Sequence, residues 1–250
     1  MTSLWTRKDN QIDIHYDFEF LDKKLDGLSI ISFGAVFRSN NKVVNYYGVN
    51  RPFFGSDDFV WLVKNWTADE NAKWLAEHVF KHFILRLDGR PSIPFYVTHN
   101  KPFIPTEGFA NHVSAKLGIV AKLKEKGDDV QSRCGTTKEI ASDIERITKE
   151  FGIEKPDVRL FGYHTATDHV LLCNMFGGVM KMPENFSGVS YDLRQLSDAY
   201  CLNHDDFDAN TPHQALLDAR VQYNLYVKMK KHLLSLDPKV LGLQTVGGKS

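Results

Sequence analysis

The chain has 250 residues, 42% of them hydrophobic and 25% charged, a balance that supports a packed core and argues against a disordered chain. Lysine plus arginine equals aspartate plus glutamate at 31 each, so the bulk charge points to no nucleic-acid partner; a polyanion would have to be met by a local patch or by metal. Cys134, Cys173 and Cys201 are an odd number without CxxC spacing, which argues against a disulfide framework and a thiolate zinc site and fits a reducing compartment.

There is no apolar run of about 18 residues and no charged-then-apolar leader. The expectation is a soluble cytoplasmic protein with no membrane partner. Residues 1–10 read as a loose arm. The segment 11–20 alternates Ile12, Ile14, Tyr16, Phe18 and Phe20 with polar residues, the period of a strand. A turn at "LDKKLDG" leads to the apolar, β-branched strand "LSIISFGAVF" (28–37), and "NN" at 40–41 suggests a tight hairpin into "KVVNYYGV". These make a three-stranded antiparallel start. Residues 67–84 read as a helix, with Thr67 and Glu70 as a capping box and Trp74, Leu75, Val79 and Phe83 along one face.

Prolines at 91, 94, 102 and 105 interrupt the next stretch of chain. The segment 89–132 reads as an insertion within a single domain, too short and too sparsely apolar to build its own core. Its lysine-bearing run from Lys116 to Lys126 is by default a solvated helix face. Residues 136–152 form an amphipathic helix on Ile140, Ile144, Ile147 and Phe151, stopped by Gly152. A strand at 157–164, a helix ending at Gly177–Gly178, a short helix at 191–201 and a long one at 211–234 complete the pattern. Strands first, then strand alternating with helix, is an α/β mixed sheet flanked by helices.

Within this frame a few acids stand out. Asp17 and Glu19 are two apart on a strand, so they project from the same face. Two adjacent carboxylates repel, and burial raises the cost unless a cation neutralises them or the face is solvated. Asp168 follows a strand directly, where α/β folds place ligands, although an acid in a helix first turn also answers the helix dipole. In "TPHQALLD", Thr211 fits an N-cap, Pro212 the first helical position and Gln214 a capping box. His213 would then sit in the first turn, with Asp218 five residues on, about 7.5 Å further along the axis at the usual rise.

The ordered combination is D-x-E on the first strand, Asp after a later strand, and H-x4-D on the last long helix. With "YDFEF", "GYHTATDHVLLCNMFGG" and "HQALLDAR" around it, this resembles the DEDDh family of 3′-to-5′ exonucleases, closest to the small bacterial and phage exoribonucleases. The likeness spans residues 12–88 and 134–230. It implies a ribonuclease-H-like fold, with Asp17, Glu19, Asp168 and Asp218 holding two Mg²⁺ or Mn²⁺ ions. It further implies His213 as the base that takes a proton from water, and release of nucleoside 5′-monophosphates from single-stranded RNA or short oligonucleotides. Homodimers are common in that superfamily, and a phage source would put the protein in the host cytoplasm. Phe20, at the strand end, is a candidate contact for the terminal nucleotide. Trp66, Trp74 and Phe176 read more readily as core than as base-stacking surfaces, and His164 and His169 as structural or surface histidines. Three rivals are weighed at this point: a DNA exonuclease of the same fold, a non-catalytic nucleic-acid-binding module, and a metal-dependent phosphatase on an unrelated fold, which would not need H-x4-D on a terminal helix.

Overall fold

The computed structural model describes residues 4–5, 8–23, 27–40, 42–65, 68–75, 78–79, 118–200, 202 and 213–235. Strands β1 (Gln11–Lys23), β2 (Gly27–Arg38) and β3 (Val43–Asn50) form an antiparallel meander. β4 (Val130–Gly135) adds parallel to β3, and β5 (Asp157–Gly162) and β6 (Phe186–Asp192) add in parallel on the β1 side. The six-stranded order is β4-β3-β2-β1-β5-β6, the expected ribonuclease-H-like mixed sheet. Helices are α1 (Asp57–Asn65), α2 (Glu70–Leu75), α3 (Gly118–Glu125), α4 (Thr137–Glu150), α5 (Ala166–Met175), α6 (Leu193–Ala199) and α7 (Ala215–Ser235). Among the described residues no helix is long and apolar enough to cross a membrane.

Both faces of the sheet are covered. Ile12, Ile14, Tyr16 and Phe18 point into one core with Ile140, Ile144 and Ile147 of α4 and Leu171, Leu172 and Met175 of α5. The opposite face packs under α7, through Ala215 and Leu216 at its start and Leu225, Tyr226 and Met229 further on. Residues 13, 15, 17 and 19 of β1 lie on this second face by strand alternation. Asp13 is fully buried there and ion-paired to Arg159 at 2.8 Å.

Two strands escaped the sequence pattern. The first half of β4 lies inside the segment 89–132 expected to be an insertion; residues 89–117 lie outside the described residues, while 118–135 supply α3 and the sheet edge. Val120, Leu123 and Val130 bury in the same core as Ala215 and Leu216, and Asp128 accepts a hydrogen bond from Arg220 of α7 at 2.9 Å. The end of that segment therefore buttresses the helix that carries Asp218. β6 reads "FSGVSYD", whose glycine and serines hide its period. The helix expected at 67–84 appears as α2 and a π-helical turn at 78–79, with Asp69 Oδ1 accepting from the Ala72 backbone N–H at 3.0 Å; Thr67 and Phe83 lie outside the described residues. Trp74 is not core: it is 42% exposed.

Gly34 decides how closely α7 can approach. It faces Asp17 in the β1–β2 register, and a Cβ there would lie 2.1 Å from the backbone of Ala215 and Leu216. Backbone cannot swing aside as a flexible side chain would. Gly34→Ala is expected to cost at least about 3 kcal/mol, the upper end of ordinary overpacking, read as a fall in the urea midpoint. An unchanged midpoint would mean that α7 does not seat against β2.

Candidate metal centre

Three elements deliver carboxylates to one cleft of about 460 Å³. β1 brings Asp17 and Glu19 on its α7-facing side. The register shifts between Glu19 and Phe20, where Glu19 pairs with Ser32 but Phe20 with Ile30; such a bulge sharpens the local twist at the strand's end. α7 brings Asp218, and the turn after β5 brings Asp168 in the first turn of α5. Ligand oxygens of Asp17, Glu19 and Asp218 lie within 4.8 Å of one another. Asp168 is outside that triplet but lines the same cleft, as do His213 and the half-buried Phe20.

The start of α7 differs from the capped helix expected at 211. Thr211 and Pro212 lie outside the described residues. His213 is not in the first turn: it precedes the helix with φ +51°. Gln214 takes the cap position, its Oε1 accepting from Leu217 N–H at 2.7 Å. Asp218 Oδ2 reaches back to accept from Gln214 N–H at 2.9 Å. The left-handed backbone at 213 turns the imidazole edge-on to Trp74, 4.8 Å away, and to His78, 5.5 Å away. The axial offset of about 7.5 Å that a shared helix would impose on His213 and Asp218 therefore does not apply. A turn puts both in the cleft instead.

Electrostatics single the cleft out. Burial is the first cause at all four acids. Glu19 is pushed up to about 8, by burial and then by Asp218 and Asp168. Asp168 rises to about 7 by burial and the nearby Asp192 charge, and Asp218 to about 7 by burial. Asp17 is held well above its usual range by burial and then by Asp168, Glu19 and Asp218. Among the described residues no lysine or arginine lines the cleft, in contrast to Asp13, which has Arg159. Asp218 Oδ1 is buried without a hydrogen-bond partner among the described residues. Clustered hard oxygen donors and an unsatisfied buried carboxylate oxygen fit Mg²⁺ or Mn²⁺.

Three supporting residues carried no sequence signal. Gln222, one turn beyond Asp218 on α7, donates from Nε2 to Asp17 Oδ1 at 3.0 Å. Asp192 caps α6 by accepting from Arg194 N–H and Gln195 N–H, and also accepts from His164 N–H at 3.3 Å and Thr165 N–H at 3.2 Å. It thereby fixes the turn that presents Asp168. Gly34 is the third. Only the i, i+4 spacing of Asp218 and Gln222 could have hinted at any of them. No family model matches the chain, and no curated protein matches it.

Gln222→Leu should weaken Mn²⁺ binding by roughly 10–100-fold, the usual effect of removing a partner that orients a metal-ligating side chain. Calorimetric titration measures it. Wild-type affinity in the variant would show that Asp17 needs no orientation from α7.

Proposed function

We propose that the chain is a divalent-metal-dependent 3′-to-5′ exonuclease that acts on RNA and releases nucleoside 5′-monophosphates. The observation that carries this reading is the convergence of Asp17, Glu19 and Asp218 within 4.8 Å, in a cleft without lysine or arginine among the described residues. A phosphodiester cannot approach such a cleft until cations reverse its charge. Asp17, Glu19, Asp168 and Asp218 would hold them. Bound there, the ions supply Lewis acidity to the phosphate and acidify water.

The chain's own groups do the rest. Asp17 is fixed by Gln222, and Asp218 by the Gln214 N–H. His213, beside the carboxylates, accepts the proton of the attacking water; an imidazole is a base suited to neutral pH. Phe20, Trp74 and Tyr163 give the cleft aromatic walls, and Asn71 and Thr167 add polar atoms. Such walls suit a nucleoside, whose bases all offer a π face.

End-labelled RNA and DNA oligomers, incubated with Mg²⁺, Mn²⁺, Ca²⁺ or EDTA, test the reading. RNA should shorten stepwise from its 3′ end with Mg²⁺ or Mn²⁺. Ca²⁺ should not support the reaction, because it prefers more ligands at longer distances. Undiminished cleavage in EDTA would sink the metal chemistry. Faster loss of DNA would move the substrate to the deoxy series. Binding without cleavage under every condition would make the protein a binding module.

A further inference from the structure

A second group of metal-type donors lies on α5 and the turn that follows it. His169 and Cys173 are i, i+4 on that helix, so they share a face. After α5, Gly177 and Gly178 adopt φ +86° and +119°. A short 3₁₀ turn at Val179–Lys181 then returns the chain to Met182. The result is convergence: Cys173 Sγ lies 3.4 Å from Met182 Sδ and 3.7 Å from His169 Nε2. Met182 Sδ can take the thiol proton, while His169 Nε2 faces the Gly188 carbonyl oxygen as a donor.

We propose that Cys173, Met182 and His169 form a binding site for a soft monovalent cation of the Cu(I) class, separate from the carboxylate centre. At metal–sulfur bonds of about 2.3 Å and metal–nitrogen bonds of about 2.0–2.1 Å, neighbouring donors sit roughly 3.5–4 Å apart. The Cys173–His169 separation falls within that range and the Cys173–Met182 separation just below it. Thiolate and thioether together select soft cations over Mg²⁺, and a carboxylate centre selects the reverse, so the two sites do not compete. Cys173 is 8% exposed, and Met182 packs, partly buried, against the core that holds Leu171, Leu172 and Met175. His169 and Met182 are half-buried, so the site opens toward the surface. His169 Nε2 also lies 3.1 Å from the Gly188 carbonyl oxygen, and ligation replaces that contact. The other ring nitrogen, Nδ1, lies 3.5 Å from the Tyr16 hydroxyl. With Nε2 on the metal, Nδ1–H donates to Tyr16, which is the outer partner that a ligating histidine usually keeps. Tyr16 in turn meets Thr165 Oγ1 at 3.2 Å, so the site touches the turn that carries Asp168.

The test is a competition for Cu(I) against a chromophoric Cu(I) chelator under reductant, with Ag(I) as a redox-inert check. The reference is the Cys134→Ser/Cys201→Ser protein, which leaves Cys173 as its sole thiol. One Cu(I) per chain should be retained, with sulfur and nitrogen ligation by X-ray absorption. Met182→Leu, a volume-conserving change, should weaken retention at least about tenfold, since even an outer partner contributes that much. Cys173→Ser should abolish it, and Asp17→Asn should leave it unchanged. The cation should raise the melting temperature of the reference, by mass action on the native state, and not that of Met182→Leu. Equal retention by the reference and Met182→Leu would overturn the proposal even if Cys173→Ser failed to fold. So would sulfur-only ligation.

Discussion

If the chain is the proposed nuclease, Asp17→Asn is expected to abolish hydrolysis and yet, without metal, to leave the protein harder to unfold at pH 8. The activity loss is expected at about 10³-fold or more, since the transition-state charge stabilisation at stake is several kcal/mol. The stability gain comes from burial. Asp17, Glu19, Asp168 and Asp218 all have raised pKa values, with burial as the first cause and neighbouring acids adding to it at Asp17, Glu19 and Asp168. Unfolded carboxyls titrate near pH 4. Between about pH 4 and pH 8 the native state therefore holds protons that the unfolded chain has released. Stability of the metal-free wild type must fall as pH rises through that window. At about 1.4 kcal/mol per pKa unit, removing one member should recover on the order of a few kcal/mol at pH 8 and much less at pH 5. Millimolar Mg²⁺ should reverse the order, because only the wild type binds it well; ligand at about 100 times its Kd adds about 2.7 kcal/mol. Urea unfolding at pH 5 and pH 8, with and without Mg²⁺, measures all of this. A metal-free Asp17→Asn protein that unfolds more easily than the wild type at pH 8 would show the cluster to be structural.

On the same proposal, His213→Asn is expected to lower the single-turnover rate by roughly 10²–10⁴-fold, the usual worth of a general base, while Mn²⁺ affinity should stay at the wild-type level. Asparagine is the informative replacement. Position 213 has φ +51°, and asparagine tolerates the left-handed region better than most residues. Loss of rate then reports the missing imidazole rather than a reshaped helix start. Raising pH, which supplies hydroxide, should recover part of the loss in the variant. Near-full activity at neutral pH would remove His213 from the chemistry. A fall in metal affinity as large as that of Asp17→Asn would recast it as a ligand.

The paths by which these residues reach one another differ in how far sequence reveals them. Asp17 and Glu19 share a face because a strand repeats every two residues, a local rule that needs no partner. The amphipathic stripe of α4 and its stop at Gly152 are equally local. Thr136 and Glu139 cap that helix within four residues of each other. β4 and β6 were invisible because their short, glycine- and serine-bearing stretches become strands only when β3 and β5 offer a ladder. The start of α7 misled for a related reason. A helical rule placed His213 in a first turn, but Gln214 and Asp218 cap the helix one step later and leave His213 outside it, turned toward Trp74.

The sequence by itself determined the mixed α/β order and the five polar positions of the cleft, since periodicity and residue chemistry are written along the chain. Only the tertiary structure decided that they line one cleft. Asp218 meets Asp17 because Gly34 has no Cβ to hold α7 away, and Asp17 is oriented by Gln222, 205 residues distant in sequence. Asp168 is presented by Asp192 across a separate strand. Close approach and long-range hydrogen bonding depend on how layers pack, and packing leaves no period in the sequence to read.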